Sequence, residues 1–174
     1  MLEILLLGVI HQYQWDCDFT PPLQPDMRTA YLDQRVRYGR WVRDHVQNFS
    51  PDLIFDEMNL PESEEDRLRD TGVLWVYMDI PEDVRMKYGL TANRGLPGCE
   101  WLPEIDEPRE NYWQFVVERI SAACKLSRVM ILCGLAHLDS FGNKLRQSGH
   151  QVQAVNLRNE PWVNEDWCIR KSGA

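Results

Sequence analysis

The chain lacks the signals of a membrane protein, a disulfide scaffold or a repeat array. No apolar run is long enough to cross a bilayer, which takes about 20 consecutive residues. Five cysteines form an odd set with no CxxC pair, so neither a disulfide framework nor a zinc knuckle is favoured. Cys124 and Cys133 sit in apolar settings and are expected as small core residues. No segment repeats with a solenoid period, and none is low in complexity. Positive charge is scarce too: 19 Lys and Arg stand against 27 Asp and Glu, a net charge of -8. Phosphate binding needs a positive surface, so nucleic acid is not an expected partner. The apolar N-terminal stretch has no basic leader and no small-residue cleavage site, and reads as a first strand. Together these absences lead us to expect a reduced, cytoplasmic protein with no membrane partner.

What remains is an ordinary globular composition, 44% hydrophobic and 26% charged over 174 residues, enough for one core. Residues 1–174 are therefore expected to form a single domain. Residues 2–10 are almost continuously apolar, the pattern of a strand covered on both faces. A helix is expected from Asp26 to Asn48, with a stripe of Leu32, Val36, Gly39, Val42, Val46 and Phe49. Ser50-Pro51 ends it, because the residue before proline avoids helix. DLIFDE (52–57) and VLWVYMD (73–79) read as short strands that end on carboxylates. The acid-led stretch 61–70 reads as a short helix, and Pro81 as the start of another.

Residues 89–107 carry three glycines and two prolines and read as an irregular excursion. Pro108 is expected to open a helix with a Trp113–Val116–Ile120–Ala123 face. RVMILCG (128–134) is the next strand, and residues 140–149 the next helix, stopped by Gly149. QVQAVNL (151–157) alternates and suits a peripheral strand, followed by a tail over 158–174. Strands alternating with helices predict an α/β fold with a mainly parallel central sheet and helices on both faces.

Two buried-looking strands run into the same frame, Gly8-Val9-Ile10-His11 and Gly134-Leu135-Ala136-His137. Parallel strands bring their carboxyl ends to one edge, where α/β sites form. Four strands here end in ionisable residues: His11, Asp56-Glu57, Asp79 and His137. The glycine before each histidine would let the strand bend or something approach the backbone. Two imidazoles and a carboxylate suit zinc, manganese or iron. Each residue also has a plainer reading, as a hydrogen-bonded strand end, and Asp56 or Asp79 as a cap or turn residue. His45, inside the long helix, and His150, beside a turn, are set aside.

The chain resembles the superfamily of TraB, TIKI membrane proteases, ChaN-like proteins and erythromycin esterases. The resemblance rests on GVIH (8–11), SPDLIFDE (50–57), PRENYWQFVVERI (108–120) and GLAHLDSFGNKL (134–145), in that order. It implies His11, Glu57 and His137 as the central polar site, with Arg109 as the charged residue of an Arg-led helix. It also implies hydrolysis of a small-molecule or peptide substrate. TIKI-like members imply a divalent ion held by His11, His137 and Glu57, with manganese, cobalt or zinc as candidates. Erythromycin-esterase-like members imply histidine and glutamate acting on water without a metal.

Two other classes stay open. Arginines 28, 35, 37, 40 and 43 make the long helix basic, which suits either a solvated face or a dock for a small anionic ligand. Trp101, Trp162 and Trp167 suit either contacts with a partner protein or packing back onto the core.

Overall fold

The computed structural model describes residues 1–14, 23–58, 71–88 and 103–163. Five strands form one sheet: β1 (Glu3–Val9), β2 (Leu53–Asp56), β3 (Trp75–Tyr77), β4 (Arg128–Gly134) and β5 (Gln151–Asn156). Their order is β3-β2-β4-β1-β5, and every pairing is parallel. The α/β expectation holds, and the sheet is parallel throughout. The helices are α1 (Pro25–Phe49), α2 (Glu82–Lys87), α3 (Pro103–Cys124) and α4 (Leu138–Gln147).

Period-2 alternation splits the strand residues between two cores. Leu5, Leu7, Val9, Ile54, Met130 and Leu132 meet α1 through Tyr31, Tyr38, Trp41, Val42 and Val46. Ile4, Leu6, Phe55, Val129, Ile131 and Cys133 meet α3 and α4 through Trp113, Val117, Phe141 and Leu145. Helices thus cover both faces. The two edges differ: β5 is only partly covered, as its alternation predicts.

The strand order also locates the site. The chain leaves β1 for α1 on one face and leaves β4 for α4 on the other. β1 and β4 are neighbours in the sheet. Adjacent strands whose connections diverge to opposite faces open a crevice at their carboxyl ends, where α/β folds bind ligands. Both Gly-x-x-His frames end in that crevice.

Several expectations need correction. Helix α3 begins at Pro103, and Pro108 lies inside it, so residues 103–107 are helical. A proline near a helix start costs only one backbone hydrogen bond, so the earlier proline marks the boundary. The buried face of α3 is Arg109, Glu110, Trp113, Val117 and Ser121, while Ala123 is exposed and Val116 and Ile120 are half-buried. Leu32 and Val36 are exposed at 39% and 52%, because α1 buries its aromatics Tyr31, Tyr38 and Trp41 in their place. Cys124 is exposed, whereas Cys133 is buried as expected. The helix expected over 61–70 and most of the 89–107 excursion lie outside the described residues. No helix among the described residues is long and apolar enough to cross a membrane.

Candidate active site

β2 delivers the centre of the site. The Glu57 amide still donates to Leu132 O of β4 at 3.0 Å, so the side chain leaves the last rung of the ladder. It lies between the ends of β1 and β4 and is 1% exposed. Its Oε2 accepts from the Gly134 amide at 2.7 Å and lies 3.3 Å from His11 Nε2. Its Oε1 accepts from Arg109 Nη2 at 2.8 Å and lies 4.0 Å from His137 Nε2. The structure therefore gathers His11, Glu57, His137 and Arg109 in one place.

The glycines of the two frames answer for each other. A Cβ on Gly134 would stand 2.6 Å from His11 Nε2, and one on Gly8 would stand 2.8 Å from Leu138 Cδ2 and 3.0 Å from Leu135 Cδ2. Each frame is thus hollowed out where the other frame's residues lie against it. The glycines serve close approach rather than a bend.

Beyond the shared carboxylate the two histidines diverge. His11 is 17% exposed, and its Nδ1 lies 2.7 Å from Gln14 Oε1. His137 is 1% exposed, packs edge-on against Trp113 with ring centroids 4.7 Å apart, and sets its Nδ1 3.1 Å from Glu110 Oε1. Its Nε2 also lies 3.7 Å from Asp106 Oδ1. Ser140 Oγ donates to Glu110 Oε1 at 2.6 Å, and Lys144 Nζ lies 3.7 Å from Glu110 Oε2.

Arg109 is a buried clamp. Its Nε and Nη2 donate to Asp79 Oδ1 and Oδ2 at 3.1 and 2.8 Å, while Nη2 also reaches Glu57. The guanidinium stacks over the Trp113 ring, 4.9 Å from its centroid, and Trp113 Nε1 donates to Asp79 Oδ1 at 2.7 Å. Arg85 Nη1 adds a second cation 3.0 Å from Asp79 Oδ2. Positions 109, 113 and 117 recur every four residues, so one stripe of α3 supplies both the clamp and its apolar backing.

Electrostatics separate the neighbouring carboxyls. Burial pushes Glu57 up, but the charge and hydrogen bond of His11 and the charge of Arg109 outweigh it and hold Glu57 well below the usual carboxylate range. Burial also pushes Asp56 up, and there it wins: the Met58 amide, His11 and Gln14 leave the carboxyl at about 7. Burial opposes charge on His11, yet Glu57, Gln14 and Asp56 together raise its pKa. Arg109 is likewise held charged by Asp79 and Glu57 against its burial.

This donor set suits a resident divalent cation poorly. Both Glu57 oxygens are engaged, one of them by a guanidinium at 2.8 Å that would repel a metal ion. Among the described residues, no group of three His, Cys, Asp or Glu is arranged to hold one.

Reasoning from sequence missed Glu110 and Gln14, and took Asp79 for a turn residue. Glu110 follows Arg109 directly on α3 and sets its Oε1 3.1 Å from His137 Nδ1. Asp79 sits at a strand end, the one signal that could have recruited it. Asp56 accepts the Met58 amide at 2.9 Å, closing a local turn, while the helix it was expected to cap lies outside the described residues. His45 Nδ1 lies 2.8 Å from Trp41 O, and His150 Nδ1 accepts the Leu2 amide at 3.2 Å; both are far in role from the site. Of the arginines on α1, Arg35 is buried against the Tyr31 ring and Arg37 pairs with Asp33 at 2.7 Å. Trp162 packs onto the core beside Tyr13, while Trp101 and Trp167 lie outside the described residues. No family model matches the chain, and no curated protein or solved structure matches it either.

Proposed function

We propose that the chain is a small hydrolase of the TraB and erythromycin-esterase kind, acting on a small-molecule or peptide substrate. The observation that carries this reading is that two imidazoles from the ends of adjacent parallel strands face one buried carboxylate, and one imidazole stays accessible. His11 is the group that meets water and substrate. Glu57 raises its basicity, so that the ring takes a proton from water once its own has left and returns it to the leaving group. Arg109 and Asp79 keep Glu57 charged and fixed, and Arg109 acts through Glu57 instead of touching the reacting atoms. His137, anchored by Glu110, closes the far side of the carboxylate. No step is routed through a metal ion.

The test is a screen of esters and peptides with wild type and His11→Ala. Because His11 stands at the rim, the variant should keep its melting temperature within a few degrees. Turnover should fall by about 10²- to 10⁴-fold, the worth of a general acid–base group. A His11→Ala variant as active as wild type on any substrate that wild type hydrolyses would sink the reading.

A second reading has its own support. Glu57, His137 and Arg109 are each only 1 or 2% exposed. So deep a network also suits a binding module in which the charges fix the crevice and His11 alone touches a small ligand. Ligand binding without turnover would favour it.

A further inference from the structure

Gln14 ends the single turn that follows β1, its amide donating to His11 O at 2.9 Å, and it is only 1% exposed. A side-chain amide has one accepting end and one donating end, so its neighbours decide which way it faces. Here Nε2 lies 3.3 Å from both Oδ1 and Oδ2 of Asp56, and Oδ1, which also accepts the Met58 amide, remains an acceptor for Nε2 when Oδ2 carries the carboxyl's proton. That leaves Oε1 toward His11, 2.7 Å from Nδ1. A carbonyl oxygen only accepts, so Nδ1 must carry a hydrogen.

We propose that Gln14, oriented by Asp56, is a positioning residue for His11, holding the hydrogen on Nδ1 so that proton exchange takes place at Nε2. In the resting site Nε2 also faces an acceptor, Glu57 Oε2 at 3.3 Å, so a protonated ring has a partner at each nitrogen. When the Nε2 proton passes to an acceptor, the N–H bond to Nε2 breaks and its electron pair stays on the ring. The Nδ1 hydrogen does not move. The neutral ring is then the Nδ1–H form with its lone pair turned toward the crevice. An orienting partner behind a histidine base does the same work in catalytic triads. Among the described residues, the charged and titratable groups around this pair are Asp56 at the end of β2 and Glu57 after it, His137 after β4, Arg109 of α3 across Glu57, and Tyr38 of α1 near Asp56.

The inference rests on the proposed reaction only for its kinetic consequence, since the hydrogen on Nδ1 is visible without a substrate. The ring nitrogens of His11 can be read by ¹⁵N NMR in the full chain, first in wild type and across a pH range that reaches the neutral ring. The expected result is a protonated Nδ1 throughout, with Nε2 losing its proton. An unprotonated Nδ1 in wild type overturns the proposal, with no variant needed. Gln14→Leu should lose the preference for Nδ1–H and, on a substrate, lower kcat about 10- to 100-fold with little change in KM. A Gln14→Leu ring unchanged from wild type also overturns it. The double variant Gln14→Glu/Asp56→Asn reverses the bond between positions 14 and 56 but keeps an acceptor for His11 Nδ1 and for the Met58 amide, and should restore the Nδ1–H form. Failure of that rescue counts against the proposal. An Nδ1–H signature in a protein that hydrolyses nothing would uphold Gln14 and remove the hydrolase.

Discussion

The two ends of the crevice begin from the same four-residue frame and arrive at different chemistry. At the β1 end the imidazole is 17% exposed and leans on a neutral amide. At the β4 end it is 1% exposed, wedged against Trp113 and anchored by a carboxylate that Ser140 and Lys144 hold. The frame delivers a histidine to the sheet edge, but what packs behind it decides how exposed that histidine is and which group it leans on. α3 fills the space behind His137 with Glu110 and Trp113. Beside His11 lies the turn that carries Gln14. Exposure and partner, not motif, separate the two roles.

The harshest way to break this arrangement is through the residue that serves both ends. Arg109→Leu leaves Glu57 and Asp79 buried without their shared cation. Losing one member of a buried charge cluster costs about 3–5 kcal/mol. Urea denaturation should show a loss of that size, with activity falling in parallel. A loss under about 1 kcal/mol, the scale of an exposed ion pair, would mean that the clamp is not buried as described.

A milder change separates the ends. Gly134→Ala inserts a methyl group 2.6 Å from His11 Nε2 and 3.4 Å from Glu57 Oε2, well clear of the His137 ring's own anchor. Overpacking of this kind costs about 1–3 kcal/mol. The β1 end should give way, because its histidine stands at the rim and can swing outward. His11 should then lose its contact with Glu57, while the Trp113–His137 packing stays. NMR of the two rings checks this directly. A shifted His137 beside an unmoved His11 would reverse the assignment of the rigid and yielding ends.

Much of this was legible in the chain. Continuous apolar runs marked β1 and β4 almost to the residue, and the alternation of β5 marked an edge. The shared frames pointed to His11 and His137, the strand ends to Asp56-Glu57 and Asp79, and the family resemblance singled out Glu57 among the carboxylates. The limits lay where polar groups are buried by pairing instead of by apolar character. An aliphatic stripe on α1 suggested Leu32 and Val36, yet the helix buries Tyr31, Tyr38 and Arg35, with the Arg35 guanidinium over the Tyr31 ring and its Nε donating to Tyr13 O. Gln34 shows the same, accepting the Tyr13 hydroxyl in the core. Gln14, Glu110 and Asp79 escaped for that reason: nothing in a one-dimensional pattern says which amide or carboxyl will meet an imidazole. Pro108 misled in another way, since the stronger start signal, Pro103, lay five residues earlier in a stretch read as loop.

The gentlest test concerns the carboxyl that only the β1 end possesses. Asp56 titrates at about 7 against an ordinary 3.8, so the folded chain holds its proton where the unfolded chain has released it. Between those values the folded state binds more protons, and stability falls as pH rises. Glu57 runs the other way: its depressed value contributes stability above the ordinary 4.5 and loses it as pH falls through the folded value. His11, raised above 6.5, contributes below that value and loses it as pH rises through the folded one. Asp56→Asn removes the first contribution, because an amide cannot ionise yet still accepts from Met58, and it trims the third only through the smallest of the effects that raise His11. Relative to wild type, the variant should gain stability between about pH 4 and pH 7, by at least about 1.4 kcal/mol, the worth of one pKa unit. Guanidinium denaturation at both pH values measures the difference. An equal offset at the two ends of that range would show Asp56 titrating normally, and the β1 end would then differ from the β4 end in exposure alone.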